Sequence, residues 1–212
     1  MKFGIIFANS GPWAYPEFAA AMGELAEGFG IESLWTVEHT VVPAGYGSEY
    51  PYSKSGRMPG PEEVPIPDPL VWLAWVAART TTVRLGTGIL ILPQRNPVTL
   101  AKEVATLDVL SKGRVLLGVG VGWLKEEFDI LGIPFDERGP RTDEAIAALR
   151  ELWTSDEAEF HGRFFDFARA KSYPKPAQEG GVPVVVGGHS VAAARRAGRL
   201  GDGFFPARAD LD

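Results

Sequence analysis

The sequence predicts an α/β fold built around a parallel sheet, and three observations predict it. Short apolar runs alternate with segments of helical period along the chain. The runs are nearly continuous in apolar residues, as in strands that are buried on both faces. Small or polar residues follow several of the runs, where α/β proteins bind their ligands.

The composition is that of an ordinary globular protein and limits the possible functions. The chain has 212 residues, 45% of them hydrophobic, and a formal net charge of -6, which argues against a nucleic-acid partner. The absence of cysteine excludes disulfides, thiolate metal sites and cysteine nucleophiles. The first apolar run is too short for a signal peptide, and no run reaches the ~18 apolar residues of a membrane span. We therefore expect a single cytoplasmic domain over residues 1–212.

The apolar runs predict six strands and a small hairpin. The strands are expected at Lys2–Ala8, Ser33–Val37, Val83–Leu92, Arg114–Val121, Val182–Val186 and Gly203–Ala207. The first of them reads as buried. The hairpin is expected at Glu159–Phe167, with its turn at Gly162.

Segments with apolar residues at helical spacing separate the strands. Helices are expected at Glu17–Phe29, Asp68–Arg79, Pro97–Leu110, Lys125–Leu131, Arg141–Trp153 and Ser190–Leu200. Asp68 and Ser190 are predicted N-caps, and Pro97 lies in a first turn, where proline is tolerated.

The segment Glu38–Pro67 has neither the apolar runs of a strand nor the apolar spacing of a helix. It is rich in proline, glycine and serine, and a loop of this length inside a domain is usually functional or disordered. Its Tyr46, Tyr50 and Tyr52 favour an ordered loop.

Two architectures fit this alternation, a doubly wound open sheet and an eight-stranded barrel. Gly118, Gly120 and Gly122 do not match the dinucleotide fingerprint, because Trp123 stands where its third glycine belongs. Candidate ligand groups at many strand ends favour the barrel. The predicted fold is therefore a TIM (β/α)8-type barrel that is truncated after the sixth strand, with two βα units missing at the C-terminus. Such a sheet leaves two apolar edges unpaired.

Two of the three histidines follow predicted strands. His39 follows the second strand and His189 the fifth, and each is either a functional group or a structural histidine. His161 lies in the hairpin, where a surface position or packing within the hairpin is the better interpretation. The run Gly187-Gly188-His189-Ser190 leads into a helix whose free N–H groups can hold a phosphate, although an ordinary capped helix has the same pattern.

Two neighbouring predicted strands contain glycines in place of larger side chains. Gly86 and Gly88 lie in the third strand, and the glycines before Trp123 lie in the fourth. They indicate either crowding inside a barrel or a flat ligand against the backbone, and two such strands side by side favour the ligand. Trp123 then packs at the ligand's edge or in the core. Glu126 and Glu127 are interpreted as first-turn charges of a solvated helix.

Two classes of chemistry have no support in the sequence. No residue spacing fits a metal site, so no metal is expected. No Gly-x-Ser-x-Gly elbow exists for Ser–His hydrolysis.

An ordered set of motifs resembles the bacterial luciferase-like monooxygenase superfamily. The set comprises Glu38-His39, residues 86–93 with Asn96-Pro97, and residues 111–114, 118–123 and 187–190. The similarity runs from Met1 to about Arg208. Residues 56–70 and 137–144 are most similar to the branch of probable oxidoreductases that use coenzyme F420, a deazaflavin.

The resemblance implies a TIM barrel with a flavin or deazaflavin at the strand carboxyl ends. It implies a cis peptide at Gly88–Ile89 behind the ring, an active-site role for His39, and a phosphate site at Gly187, Gly188, His189 and Ser190. The other cofactor-binding residues expected are Glu38, Gly120, Gly122 and Trp123. It also implies a homodimer, for which the helices at 68–79 and 97–110 are candidate interface elements.

One feature departs from the family pattern. Some deazaflavin-dependent dehydrogenases carry a catalytic acid at the end of the fourth strand, where this chain has Gly120-Val121-Gly122. Sugar-phosphate oxidation is therefore not predicted.

Three functions remain open from the sequence. The first is an F420-dependent oxidoreductase that moves a hydride to or from a small organic substrate, with His39 transferring a proton or orienting the substrate. Lys54 or Arg57 then contacts the acidic cofactor tail, or both are solvated loop charges. The second is an FMN-dependent monooxygenase with a separate reductase. The third is a non-catalytic flavin-binding protein.

Overall fold

The computed structural model describes residues 1–207. Its strands are β1 Gly4–Ile6, β2 Ser33–Thr36, β3 Arg84–Thr87, β4 Leu90–Ile91, β5 Val115–Gly120, β6 Ala158–His161, β7 Asp166–Ala170, β8 Val184–Gly187 and β9 Gly203–Phe205. Its α-helices are α1 Pro16–Gly28, α2 Pro69–Ala77, α3 Pro97–Ser111, α4 Lys125–Ile130, α5 Arg138–Thr154 and α6 Val191–Leu200.

The main sheet is entirely parallel, which confirms the predicted α/β class. Its strands follow the order β1-β2-β3-β5-β8-β9, and β4 also pairs with β5. Among residues 1–207, β1 pairs only with β2 and β9 only with β8. The sheet therefore leaves two edges open.

The first strand differs from the prediction because it lies at one of these edges. We expected Lys2–Ala8 to be buried, but β1 covers only Gly4–Ile6, of which Gly4 and Ile6 are exposed and Ile5 is half-buried. Phe3 is 61% exposed and Ile6 43% exposed. At the opposite edge, Phe204 of β9 is also exposed. An apolar strand is buried on both faces only when neighbours cover it.

The predicted third strand, Val83–Leu92, is interrupted. It divides into β3 and β4 on either side of Gly88 and Ile89, and the peptide bond between these two residues is cis, as the resemblance implies. Both parts pair with β5.

The helix caps agree with the sequence. The Asp68 carboxylate accepts hydrogen bonds from the N–H groups of Leu70 and Val71, at 2.9 and 3.0 Å, and Ser190 caps α6. Proline begins α3 at residue 97, after the N-cap Asn96.

Most element boundaries differ from the prediction by one or two residues, and two differ by three. The helix predicted from Arg141 begins at Arg138, and the hairpin extends to Ala170. Gly162 lies in the hairpin turn, where its N–H donates to the carbonyl of Phe165 at 2.9 Å.

The core lies between the sheet and the helices. Leu34, Leu85 and Leu117 of the sheet are fully buried, as are leucines of α2, α3 and α5. This packing fixes the strands, and so fixes where their carboxyl ends meet. Among the described helices, none combines the length and apolar character that crossing a membrane requires.

Candidate active site at the carboxyl ends of the strands

A series of aromatic rings connects the residues that follow three different strands. Trp123, after β5, lies edge-on to His39, after β2, with ring centroids 5.7 Å apart. Tyr50 contacts Trp123 at 5.1 Å and Tyr52 at 5.2 Å. Tyr52 in turn contacts His189, after β8, at 5.1 Å. The structure thus brings both strand-end histidines and Trp123 to one edge of the sheet, joined by the long loop.

The loop at 38–67 packs through its tyrosines against Trp123 and His189. Tyr46 is 4% exposed and packs against Trp123 at 5.5 Å. Its hydroxyl accepts from the N–H of Met58, and the Arg57 guanidinium donates to its carbonyl and lies over its ring. Arg57 is therefore engaged within the loop in this structure. Burial raises the pKa of Tyr50, so its hydroxyl remains a neutral donor at physiological pH.

Glu127 is fully buried, and its interpretation as a solvated charge was wrong. Its Oε1 accepts from the N–H groups of Thr40 and Val41 at 2.6 and 3.2 Å. Its Oε2 lies 3.1 Å from Nδ1 of His39, whose side chain is 8% exposed. The carboxylate thus holds both the backbone after His39 and the imidazole ring itself.

The preceding residue, Glu126, anchors the loop further along. Its carboxylate accepts from the N–H of Gly47 at 2.7 Å and from the N–H and hydroxyl of Ser48. The Ser48 hydroxyl is the main cause that lowers the pKa of Glu126 to about 2. Two adjacent glutamates of α4 therefore attach the loop at two points.

Glu38 is also buried, but its carboxylate is already occupied by groups of the protein. Its Oε2 accepts from the N–H of Ile91, and its Oε1 accepts from two guanidinium nitrogens of Arg95. Arg95 also donates to Asp68 at 2.7 Å. Burial raises the pKa of Glu38, and the charge of Arg95 opposes this effect. Although burial lowers the pKa of Arg95, the charge of Glu38 raises it above its ordinary value.

A cavity of about 330 Å³ opens beside His39. Polar and charged residues dominate its lining, among them Glu38, His39, Thr40, Asp68, Gln94 and Arg95. The buried Nε2 of Gln94 has no hydrogen-bond partner within residues 1–207. The imidazole therefore adjoins a polar cavity as well as the aromatic series.

Side chains fill the space beside the strand glycines. A Cβ at Gly86 would overlap the Trp35 ring, and a Cβ at Gly120 or Gly187 would overlap Ile89. At Gly122, whose φ is +81°, it would meet Phe128. Crowding inside the barrel, one of the two interpretations given above, accounts for these glycines. A cofactor-binding role for them stays a prediction.

The start of α6 has the features of an anion site. Gly188 has φ +127°, and the hydroxyl of Ser190 accepts from the N–H of Ala193 at 3.2 Å. Other N–H groups of the first turn lack intrahelical partners, as in every α-helix. A phosphate at this position stays a prediction.

His161 lies away from these groups, as the hairpin position predicted. Its exposed ring bonds Glu159 and Asp166 at 2.7 and 2.9 Å. In the part of the chain that the structure describes, no group of three or more His, Cys, Asp or Glu residues could hold a metal ion.

Comparison with known proteins identifies the family. The family profile of luciferase-like monooxygenases matches residues 1–212. The chain belongs to this family. An uncharacterized protein of Mycobacterium tuberculosis is 37% identical to this luciferase-like chain over 195 residues, which cover 92% of the chain and 67% of that relative.

A dehydrogenase and a solved monooxygenase structure are also similar. The F420-dependent glucose-6-phosphate dehydrogenase of Amycolatopsis mediterranei is 36% identical over 184 residues, which cover 85% of this chain and 50% of that enzyme. The crystal structure of monooxygenase RslO1 from Streptomyces bottropensis matches with a TM-score of 0.77 at 34% identity, covering 96% of this chain and 59% of that protein. The luciferase-like chain thus spans between half and two thirds of these proteins.

Three residues of the luciferase-like site were not predicted from the sequence. Glu127, Arg95 and Gln94 each contact or adjoin the predicted site residues. For Glu127 a signal existed, because Leu124, Glu127 and Phe128 share one face of a helix and the other two are apolar.

Proposed function

We propose that this luciferase-like chain forms the active site of a coenzyme F420-dependent oxidoreductase that transfers a hydride between the deazaflavin and a small organic substrate. One observation carries the proposal, namely the series of rings that joins His39 to His189 at the start of α6. The similarity to the F420-dependent dehydrogenase of Amycolatopsis mediterranei supports the choice of cofactor.

The residues at this edge fit a long cofactor that carries a flat ring and a phosphate. We place the phosphate at Gly187–Ser190, where the glycines let the ligand approach the backbone and the helix start favours an anion. We place the ring beside the Gly88–Ile89 peptide, near Gly120 and Gly122, with Trp123 at its edge. A bound deazaflavin supplies a hydride donor or acceptor.

Glu38 acts indirectly in this proposal. Its carboxylate is already engaged by Arg95 and by the N–H of Ile91, so we propose that it shapes the wall of the site. It holds in place the backbone that follows the Gly88–Ile89 peptide.

The imidazole of His39 transfers the proton that accompanies hydride transfer, or orients the substrate. Histidine suits this role because it changes charge near neutral pH. Tyr50, Tyr52 and Trp123 pack edge to face in an aromatic cluster that we propose as the apolar wall of the substrate site, and the tyrosine hydroxyls can donate to a carbonyl oxygen. A conjugated or carbonyl compound therefore fits this wall.

An FMN-dependent monooxygenase with a separate flavin reductase is the second candidate. The similarity to monooxygenase RslO1 favours it, at 34% identity over 96% of the chain. Both cofactors present a tricyclic ring and a phosphate, so the same groups would hold either. A non-catalytic flavin-binding protein is the third candidate.

We also propose a cytoplasmic homodimer in which α2 and α3 contribute to the interface. These neighbouring helices expose apolar residues, including Val71, Trp75, Val98 and Leu110. A Trp75→Glu variant should shift the protein to monomers in light scattering. If the wild-type protein is monomeric at all concentrations, this proposal fails.

The cofactor is tested by purifying the protein from a host that makes both F420 and FMN. We expect the absorbance and mass of a bound deazaflavin, and turnover with reduced or oxidised F420. Bound FMN would contradict the main proposal and favour the monooxygenase. No bound cofactor and no turnover with either would favour a non-catalytic protein.

The role of His39 has a matched control in the same chain. His39→Ala should lower kcat by about 10²–10⁴-fold, the usual contribution of a general acid or base. His161→Ala removes an exposed hairpin imidazole and should leave kcat unchanged. Full turnover by His39→Ala would remove His39 from the mechanism.

A further inference from the structure

The strongest unassigned feature is a fully buried carboxylate that contacts the proposed catalytic imidazole. Glu127 lies on α4, 88 positions from His39 in the sequence, and its side chain has no exposed surface. A buried charge is costly unless it is paired and hydrogen-bonded. Its bonding pattern therefore indicates what it does.

The two backbone N–H groups determine how the carboxylate is used. The N–H groups of Thr40 and Val41 can only donate, so Oε1 of Glu127 is an acceptor. In the ionised carboxylate, Oε2 is an acceptor as well. The 3.1 Å contact with Nδ1 of His39 then requires the proton to be on Nδ1.

We propose that Glu127 is a positioning residue that fixes the orientation and the tautomer of His39, with hydrogen on Nδ1 and the free lone pair on Nε2. The inference rests on the proposed role of His39 in proton transfer. Within residues 1–207, no group hydrogen-bonds to Nε2, and the ring lines the cavity described above. Nε2 is thus the nitrogen left to exchange a proton with the substrate.

The arrangement also fixes the ring in space. The N–H bonds from residues 40 and 41 fix the carboxylate relative to the backbone that carries His39. Trp123 packs edge-on against the imidazole, at an interplanar angle of 88°. A ring held by a hydrogen bond at one nitrogen and by an aromatic contact keeps its other nitrogen in a constant direction.

Glu127→Gln separates this role from a purely structural one. The glutamine oxygen can still accept from the two backbone N–H groups, but its NH₂ group can only donate to Nδ1. The neutral ring should then change to the tautomer with hydrogen on Nε2. A residue that only anchors the loop would leave the tautomer unchanged in this variant.

The readout is ¹⁵N NMR of the imidazole nitrogens, recorded without cofactor or substrate. The chain has three histidines, and the signals of His39 are assigned by their loss in His39→Asn. In the wild-type protein we expect a protonated, pyrrole-type Nδ1 and a pyridine-type Nε2 in the neutral ring. In Glu127→Gln the two types should exchange. Glu126→Gln, at a neighbouring carboxylate that bonds Gly47 and Ser48, should keep the wild-type pattern.

Each outcome decides the proposal. A wild-type ring with hydrogen on Nε2 overturns it, even if Glu127→Gln does not fold. An unchanged tautomer in folded Glu127→Gln also overturns it. In the active holoenzyme we expect kcat of Glu127→Gln to fall by about 10²–10⁴-fold, the contribution of a general acid or base, with KM nearly constant. The cause is the wrong tautomer, as when a triad carboxylate becomes an amide. If Glu127→Gln exchanges the tautomer but keeps the wild-type kcat, the pair of Glu127 and His39 (the dyad) has no role in the reaction.

The two levels of proposal fail separately. If the protein turns over neither cofactor, the proposed function fails while the NMR result for Glu127 stands. If His39→Ala is inactive but the tautomer does not depend on Glu127, the function stands and the dyad fails.

Discussion

Ile89 occupies the space that a side chain at Gly187 would need. The Cγ2 atom of Ile89 lies well inside van der Waals distance of a Cβ built at position 187, and its Cδ1 lies 2.6 Å from a Cβ built at Gly120. Ile89, the second residue of the cis peptide, therefore packs as one unit with Gly120 of β5 and Gly187 of β8.

Gly187→Ala should destabilise the protein by about 1–3 kcal/mol, the usual cost of adding a methyl group to a filled core. Ile89→Ala removes the colliding methyl group, so the double variant should lose less stability than the sum of the single variants. Urea unfolding of the four proteins measures this coupling.

Gly198→Ala is the matched control. Gly198 lies on the exposed face of α6, where an added Cβ meets no atom within 4 Å. Alanine should stabilise the helix there by about 0.5–1 kcal/mol. Additive effects of Gly187→Ala and Ile89→Ala would contradict the packing unit.

The glycines show what the sequence could and could not reveal. Their unusual positions inside strands indicated a close approach, and that is what the structure contains. Whether a ligand or a side chain makes the approach depends on the neighbouring strands, and the sequence does not show that Ile89 points toward Gly120 and Gly187.

The sequence predicted which residues lie at the strand ends, but it did not predict all the contacts that these residues make. His39, Trp123 and His189 meet because parallel strands share a carboxyl edge, which apolar patterning predicts. Glu127 was missed because a glutamate in a first turn is normally solvated. Its burial depends on a loop from another part of the chain that brings N–H donors to it.

Glu27→Gln should lower stability in a pH-dependent way. Glu27, on α1, accepts hydrogen bonds from the backbone N–H groups of Thr81, Thr82 and Val83 at the entry to β3. Although burial opposes the effect, these bonds lower its pKa from 4.5 to about 2. Since the folded pKa lies below the unfolded one, the stabilisation is complete above pH 4.5 and is lost as the pH falls toward 2.

At neutral pH we therefore expect Glu27→Gln to cost about 1–2 kcal/mol in urea unfolding. The difference from wild type should shrink steadily between the two pKa values. Glu24→Gln, at an exposed position of the same helix, should change stability by less than about 0.5 kcal/mol. A cost for Glu27→Gln that does not vary with pH would show that the charge is not responsible.

Arg114→Lys should destabilise the amino-terminal end of the parallel strands, which lies opposite the candidate site. The buried guanidinium donates to the carbonyls of Ala77, Thr80, Val83 and Ser111 and to the Thr80 hydroxyl, at distances from 2.8 to 3.1 Å. A lysine ammonium has only three donors and cannot reach all five acceptors.

We expect a loss of about 2–4 kcal/mol for Arg114→Lys, because buried carbonyls lose their partners. Arg79→Lys, at an exposed arginine that packs on Trp75, should stay within about 0.5 kcal/mol of wild type. Equal stabilities of the two variants in guanidinium unfolding would rule out this role for Arg114.

The Glu38–Arg95 pair gives a prediction about the wall of the site. Removing one partner of a buried ion pair leaves the other uncompensated, so Arg95→Met should cost about 3–5 kcal/mol. The double variant with Glu38→Gln removes the stranded charge and keeps an acceptor for the N–H of Ile91. It should therefore be more stable than Arg95→Met alone.

A variant of Asp68 distinguishes the contact of Arg95 with Asp68 from its contact with Glu38. Its side chain is 40% exposed, so its contact with Arg95 is worth less than the one with Glu38, and Asp68→Asn keeps an acceptor for the N–H groups of α2. We expect this variant to lose less than about 1 kcal/mol. A double variant no more stable than Arg95→Met would mean that Arg95 acts mainly through Asp68. In that case the backbone around Ile91 does not depend on the buried pair, and Glu38 is free to serve the ligand directly.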